Sequence, residues 1–205
     1  MWQTDHDTWR GRLLTLSDVI TLVQCWQAGD ERAAEALYDQ HRGLVFSLAR
    51  ALLDDPADAE EVMQEVLTYA LTHIERYDAE RARFTTWLHI ITVSRCRNRL
   101  HHRLKRVPLM TWLHDDERAS STPGPEHQAQ RQSLTDEVWA AIQSLSQPLR
   151  EAVVLRYWAD YTYHEIAVIL GCSLGTAQSR VRLAHERLRA LLDPGALASL
   201  EETSE

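Results

Sequence analysis

The segment from Thr176 to Arg182 contains the residues whose types and spacing best fit a binding chemistry. Arginine and glutamine side chains read base edges with paired hydrogen bonds, and serine and threonine bind bases or phosphates. The candidate residues are Thr176, Gln178, Ser179, Arg180 and Arg182. This combination predicts a surface that contacts duplex DNA.

The flanking residues predict two short helices that would position this segment. Thr162 and Glu165 have the spacing of a capping box, and Gly171 can adopt the left-handed backbone that ends a helix. Ser173 can cap a second helix, in which four apolar residues share one face. These residues are Ala177, Val181, Ala184 and Leu188. The pattern is typical of a helix-turn-helix, whose second helix enters the major groove. An amphipathic hairpin with solvated arginines is the alternative, and the tight turn favours DNA binding.

Two charge runs lie upstream of this segment. The formal net charge of -8 argues against nucleic acid, but the charges are unevenly distributed. Residues 54–65 contain six acids and no base, whereas residues 81–106 contain eight bases and no acid. Two surfaces of opposite sign indicate two different partners. The acidic total predicts weak DNA binding by the chain alone, so another protein would have to complete it.

The acidic run predicts a helix that begins at Asp55 and Pro56. Polar residues then recur at spacings of three and four, and apolar residues turn to the opposite side. The polar stripe consists of Asp58, Glu61, Glu65, Thr68 and Thr72, and the inward residues are Ala59, Val62, Met63, Val66, Ala70 and Ile74. Such a stripe is either an ordinary solvated face or a docking surface.

The basic run predicts a second long helix. Arg95, Arg99 and Arg103 recur every four residues and form a ridge of like charge, for which a polyanion is the natural compensation. Trp87 and its apolar neighbours fit the core. Tyr77 and Phe84 are candidates for an exposed aromatic that stacks on a flipped base, although Phe84 fits a core role better.

Three parts of the sequence resemble one family. Residues 145–157, 161–167 and 170–182 resemble region 4 of bacterial extracytoplasmic-function sigma factors, which belong to the sigma-70 family. Residues 55–66 resemble region 2.2 of the same family, and residues 84–88 resemble its aromatic entry to regions 2.3 and 2.4. The resemblance covers most of residues 30–107 and 134–190.

The resemblance implies roles for three sets of residues. Region 2.2 binds the clamp coiled coil of the RNA polymerase beta-prime subunit, which makes Asp58, Glu61, Gln64 and Glu65 core-binding candidates. Regions 2.3 and 2.4 capture the minus-10 element as the strands separate, and the candidates are Tyr77, Ser94, Arg95, Asn98, Arg99 and Arg103. Region 4 binds the minus-35 element, which makes Thr176, Gln178, Ser179, Arg180 and Arg182 the candidates for that contact. Many members have asparagine at the position of Ser94, and Asn98 matches an asparagine found in some.

We therefore predict an all-α protein with two small helical domains joined by a flexible linker, the C-terminal domain being a helix-turn-helix. The expected divisions are a head over residues 1–15, a region 2 domain over 16–107, a linker over 108–133, a region 4 domain over 134–192 and an acidic tail over 193–205. The linker contains the Ser, Thr, Pro and Gly segment of residues 120–125, and its apolar residues are too many for a passive tether.

Other classes of protein fit the sequence less well. No apolar run is long enough to cross a bilayer and the start is not that of a signal peptide, so we expect a cytoplasmic protein. The three cysteines lack zinc-site spacing, and Cys96 with His101 or His102 lacks a fourth ligand. No nucleophile and base pair stands out. We expect no metal, no cofactor and no enzymatic activity.

Together these features predict a transcription initiation factor. Its expected partners are core RNA polymerase, through the beta and beta-prime subunits, and promoter DNA. Family members are commonly held inactive by an anti-sigma factor, which the resemblance adds as a candidate partner. A helix-turn-helix repressor or activator is one alternative, but it leaves the acidic stripe and arginine ridge unexplained. A nucleic-acid enzyme or metal-dependent sensor is the other, and it lacks a ligand set.

Overall fold

The computed structural model describes residues 16–106 and 137–192, and within these ranges it contains helices and no strand. The predictions for the head, linker and tail concern residues outside these ranges. The helices are α1 (Leu16–Gln27), α2 (Glu31–Leu52), α3 (Pro56–Thr72), a short 3-10 helix (Ile74–Arg76), α4 (Phe84–Arg106), α5 (residues 137–144), α6 (Gln147–Tyr157), α7 (Tyr163–Leu170) and α8 (Leu174–Leu191). The predicted all-α class is confirmed.

The described residues form two compact units. The first comprises residues 16–50 and 55–96, and the second comprises residues 51–54, 97–106 and 137–192. The division therefore falls inside α4, between Cys96 and Arg97. The domain boundaries expected from the sequence stay predictions.

The first unit is organised around the apolar faces of α1 to α4. Asp55 caps α3, because its carboxylate accepts a hydrogen bond from the Ala57 amide at 2.9 Å, and Pro56 follows at the first helical position. The predicted inward residues are buried as expected, apart from the half-buried Met63. The largest fully buried side chains of this unit are Leu37, Leu48, Leu67, Leu88, Val45, Val62, Val66 and Val93.

Two buried histidines, His41 and His89, lie in this core, each 3% exposed. The Nδ1 atom of His41 is 2.8 Å from the Leu37 carbonyl oxygen, and its ring meets Phe84 edge-on at 5.0 Å. Burial lowers the pKa of both imidazoles, and for His89 burial together with the charge of nearby His41 lowers the pKa to about 4. At neutral pH His89 is therefore uncharged.

Acidification is expected to destabilise the first unit through His89. Its pKa rises from about 4 in the fold to the ordinary 6.5 on unfolding, so the unfolded state binds more protons between these values. The contribution is present above pH 6.5 and is lost as the pH falls toward 4, and from pH 7 to pH 5 it amounts to about 2 kcal/mol. Urea unfolding at the two pH values measures it. A His89→Leu variant should lose less stability over this interval, and an equal loss would contradict the assignment.

In the second unit, α6, α7 and α8 pack against one another. The helix caps predicted from the sequence are present in this unit. Thr162 accepts a hydrogen bond from the Glu165 amide at 3.3 Å, and Glu165 accepts one from the Thr162 amide at 2.9 Å, which completes the capping box. Gly171 ends α7 with φ of 64°, and Ser173 caps α8 by accepting from the Thr176 amide at 3.2 Å. These contacts fix the two helices of the predicted helix-turn-helix.

An ion pair between the half-buried Arg97 and the buried Glu151 also stabilises the second unit. Arg97 donates to both oxygens of Glu151, at 2.9 and 2.6 Å, and Gln147 donates to the same carboxylate at 3.0 Å. The Glu151 hydrogen bond raises the pKa of Arg97, whereas burial lowers the pKa of Arg150. Arg150 donates to the carbonyls of Leu52, Gln143 and Leu145. Arg97 is therefore engaged within the fold, unlike a residue of a solvated ridge.

Candidate nucleic-acid and core-binding surfaces

The candidate DNA-reading residues lie at the N-terminal half of α8. Gln178, Ser179 and Arg182 are exposed, whereas Thr176 and Arg180 are half-buried. The opposite face is buried through the four predicted residues, Ala177, Val181, Ala184 and Leu188. The structure thus presents the five candidates on the part of a second helix that enters a major groove in this motif.

Two of these side chains have partners within the protein. Arg182 forms an ion pair with Glu186 one turn later, with 2.6 Å between the nitrogen and the oxygen. The hydroxyl oxygens of Thr176 and Ser173 are 2.8 Å apart. Because the Arg182 pair is exposed at both ends, it contributes little stability, and a phosphate or base edge can replace the carboxylate.

The acidic candidates lie along one face of α3. Glu61, Gln64 and Glu65 are exposed, and Asp58 is half-buried beside the helix start. The cap at Asp55 stabilises the start of the helix that carries this face. Its chemistry suits a partner that brings basic groups.

The outer face of α3 and part of α4 form an open groove of about 640 Å³, lined by Glu61, Gln64, Glu65, Thr68, Tyr69, Thr72, His73 and Arg95. Within it, Arg95 Nη1 lies 3.9 Å from Glu65 Oε2, and the guanidinium lies 5.3 Å from the centre of the Tyr69 ring. A candidate for minus-10 DNA and a candidate for core binding are therefore in contact.

Sequence reasoning missed the aromatic part of this groove. Tyr69 stacks on His73 with 4.4 Å between ring centres, and its hydroxyl accepts a hydrogen bond from Arg76 at 2.8 Å. The signal was present, because Tyr69 follows Glu65 by four residues and precedes His73 by four. The same periodicity that identified the acidic stripe extends to these two rings.

The other minus-10 candidates of the basic run lie along α4. Ser94, Asn98 and Arg103 are exposed, and Arg95 and Arg99 are half-buried. The ridge of three arginines at spacings of four is therefore present on the helix. Arg97 of the same run points instead to Glu151.

The expectation of an exposed aromatic at Tyr77 is wrong, whereas the core role favoured for Phe84 is confirmed. Tyr77 is 8% exposed and Phe84 is 2% exposed. Their rings meet edge-on at 5.1 Å, and Tyr77 also lies 5.5 Å from the ring of Trp87. Burial raises the pKa of the Tyr77 hydroxyl, and the charge of Asp78 adds to the rise. The reason is that burying large aromatic surface against other rings is worth more than leaving it in water.

The aromatic cluster of Tyr77, Phe84 and Trp87 closes the short loop of residues 78–83. Asp78 orders the start of this loop, because its carboxylate accepts a hydrogen bond from the Glu80 amide at 3.0 Å and lies 3.1 Å from Arg81 Nε. Arg81 and Arg83 are exposed. The loop presents cations on an ordered backbone.

Metal-ligand clusters and membrane-spanning helices are two further features that would bear on function. Within residues 16–106 and 137–192, no group of three or more His, Cys, Asp or Glu side chains is arranged to hold a metal ion. None of the helices described combines the length and apolar character required to traverse a lipid bilayer.

Comparison with known proteins bears directly on these surfaces. The family model for sigma-70 region 2 matches residues 37–106, and the model for sigma-70 region 4 matches residues 135–188. The sigma factor SigE of Mycolicibacterium smegmatis, of the extracytoplasmic-function (ECF) group, is 30% identical over 181 residues, which cover 86% of this chain and 69% of that protein. The chain belongs to the sigma-70 family, in its ECF group.

Other similar proteins agree with this family. The RNA polymerase sigma-H factor of Pseudomonas aeruginosa is 28% identical over 189 residues, covering 89% of this chain and 97% of that protein. The solved structure of CnrH, in complex with the cytosolic domain of CnrY, is 24% identical, with a TM-score of 0.62 over 86% of this chain and 97% of that one. RpoE of Bartonella quintana, in complex with the anti-sigma factor NepR, is 23% identical, with a TM-score of 0.59 over 73% of this chain and 90% of that one. These two structures share the fold. As an ECF sigma factor, the protein is a promoter-specific transcription initiation factor.

Proposed function

We propose that this ECF sigma factor binds core RNA polymerase through α3, holds minus-10 DNA through α4 and the loop before it, and reads minus-35 DNA through α8. The observation that supports the proposal is an exposed acidic face on α3 together with polar and basic side chains presented by α8, in one chain that matches both sigma-70 regions. The protein acts by binding rather than by catalysis. It acts in the cytoplasm, where polymerase and promoter DNA meet.

Core RNA polymerase is the proposed partner of Asp58, Glu61, Gln64 and Glu65. Three of these four are exposed on one helical face, and carboxylates favour a basic partner surface. An anti-sigma factor is a further proposed partner, supported by the two similar structures that were solved with CnrY and with NepR.

Promoter melting is assigned to α4 and residues 78–83. Ser94, Arg95, Asn98, Arg99 and Arg103 would hold a separated strand along α4, chiefly through its phosphates. Tyr77 supports the loop where it begins, because its ring is buried against Phe84 and Trp87. The exposed Arg81 and Arg83 add positive charge beside that strand.

The test of the whole function is transcription from a promoter library. Purified protein is mixed with core polymerase and fragments of its genome, and the transcripts are sequenced. We expect transcripts that begin at a defined set of promoters sharing minus-10 and minus-35 elements. Tight operator binding without core, and no specific transcripts with it, would favour the helix-turn-helix repressor instead.

Replacing Arg180 by alanine is expected to weaken minus-35 binding by about fivefold to 150-fold, because a side chain that reads a base edge contributes about 1–3 kcal/mol. The measurement is fluorescence anisotropy of holoenzyme on a promoter fragment from that library, in parallel with core binding by the variant. Arg187→Ala is the matched control, since Arg187 is also an arginine of α8 but is exposed and lies about two turns further on. Loss of core binding to the same extent would refute the role of Arg180.

A further inference from the structure

The contact between Glu65 and Arg95 joins two functions in one groove. Glu65 belongs to the face proposed for core polymerase, and Arg95 belongs to the helix proposed for minus-10 DNA. Their side chains are 47% and 36% exposed, with 3.9 Å between Glu65 Oε2 and Arg95 Nη1. The two groups are therefore accessible to partners and also close enough to attract each other.

We propose that Glu65 withholds Arg95 from DNA in the free protein and that core binding releases it. This inference rests on the function proposed above. The Glu65 carboxylate can pair either with Arg95 or with a basic group of the polymerase. When it pairs with the polymerase, its attraction for Arg95 weakens. The positive charge of Arg95 then becomes available to a phosphate of the separated minus-10 strand.

Tyr69 is the positioning residue of this device. Its ring lies 5.3 Å from the Arg95 guanidinium, and Arg76 and His73 hold the ring through the 2.8 Å hydrogen bond and the 4.4 Å stack. A cation over an aromatic face keeps its attraction without a neutralising charge. When Glu65 turns to the polymerase, the ring keeps Arg95 at the mouth of the groove, with its charge no longer paired with Glu65.

The size of the effect follows from the exposure of the pair. A partly exposed ion pair changes an equilibrium only a few-fold, so Glu65 acts as a bias on DNA binding. The same reasoning gives the sign. Removing the carboxylate should strengthen DNA binding by the free protein, whereas removing the guanidinium should weaken it.

The experiment measures DNA binding by the full-length protein without polymerase. The probe is a fluorescent single-stranded DNA of random sequence, titrated at several salt concentrations. Glu65→Gln should bind about twofold to fivefold more tightly at low salt, and its logarithmic salt dependence should steepen by up to about 0.7, the value for one more phosphate contact on single strands. Glu60→Gln removes the same charge from an exposed position on α3 and should not steepen the slope.

The double variant Glu65→Gln/Arg95→Gln decides whether the gain passes through Arg95. We expect it to bind no better than Arg95→Gln alone. A gain that persists without Arg95, or equal gains for Glu65→Gln and Glu60→Gln, would overturn the coupling.

Substitutions at position 69 test whether the Tyr69 ring positions Arg95 or only fills space. In the Glu65→Gln background, Tyr69→Phe loses the hydrogen bond from Arg76 but keeps the ring and its stack on His73, so it should keep most of the gain. Tyr69→Leu removes the ring and should reduce the gain further. If the leucine variant retains the gain, Tyr69 does not position Arg95.

The proposed function has a separate readout, namely opening of a promoter by holoenzyme. If Arg95→Gln leaves that opening intact, the DNA role of Arg95 fails, whatever Glu65 does in the free protein.

Discussion

Charge reversal of Glu61 and Glu65 to lysine should reduce affinity for core RNA polymerase about 100-fold or more, the largest effect expected on any partner. Both carboxylates are exposed on one face of α3, so the double variant replaces attraction for basic polymerase groups with repulsion at two points. The fold should persist, because neither side chain is buried. Surface plasmon resonance or fluorescence titration with purified core gives the dissociation constant.

A matched double variant controls for total charge. Glu35→Lys/Glu60→Lys makes the same change at two exposed positions outside the proposed surface. It should reduce core affinity far less, with most of its loss disappearing in high salt. If both double variants lose affinity equally, the acidic stripe of α3 is an ordinary solvated face.

Removing Arg97 should cost the fold about 2–3 kcal/mol, the largest expected effect of a single substitution on stability. Glu151 is only 4% exposed on its side chain, so an Arg97→Met variant leaves a buried carboxylate that loses its paired guanidinium. It keeps only the hydrogen bond from Gln147 and the attraction of the nearby Arg150 charge. The opposite change, Glu151→Leu, should cost less, because the Arg97 side chain is 38% exposed and water can reach it. Urea unfolding followed by circular dichroism gives both values.

The double variant Arg97→Met/Glu151→Leu completes the thermodynamic cycle. Replacing both charges by apolar groups removes the buried carboxylate together with its partner, so we expect part of the lost stability to return. A double variant less stable than the sum of the single losses would mean that the packing of these side chains, rather than their charges, determines the cost.

Much of the fold was predictable because its signals are local. The capping box of Thr162 and Glu165, the left-handed Gly171 and the cap at Ser173 each depend on residues within three or four positions. The buried face of α8 follows from periodicity in the same way. For this reason the amino-acid sequence alone is enough to assign the candidate base-reading residues to one end of one helix.

The remaining features depend on contacts between distant positions. Arg97 and Glu151 are 54 residues apart, so the basic run alone gave no sign that one of its arginines is engaged by a buried carboxylate. The Arg95 contact with Glu65 likewise joins two helices. The burial of Tyr77 was not predictable for the same reason, because it is decided by the rings of Phe84 and Trp87 that pack on it.

The ordered loop of residues 78–83 has a consequence for the entropy of strand capture. Fixing the backbone of one residue costs about 1–2 kcal/mol of conformational free energy. A flexible six-residue loop would incur that cost for each residue when it bound DNA. Here the aromatic cluster joins the two ends, and Asp78 fixes the first turn. Folding has thus already met part of the ordering cost, so under the proposed function a captured strand would keep more of its contact free energy as affinity.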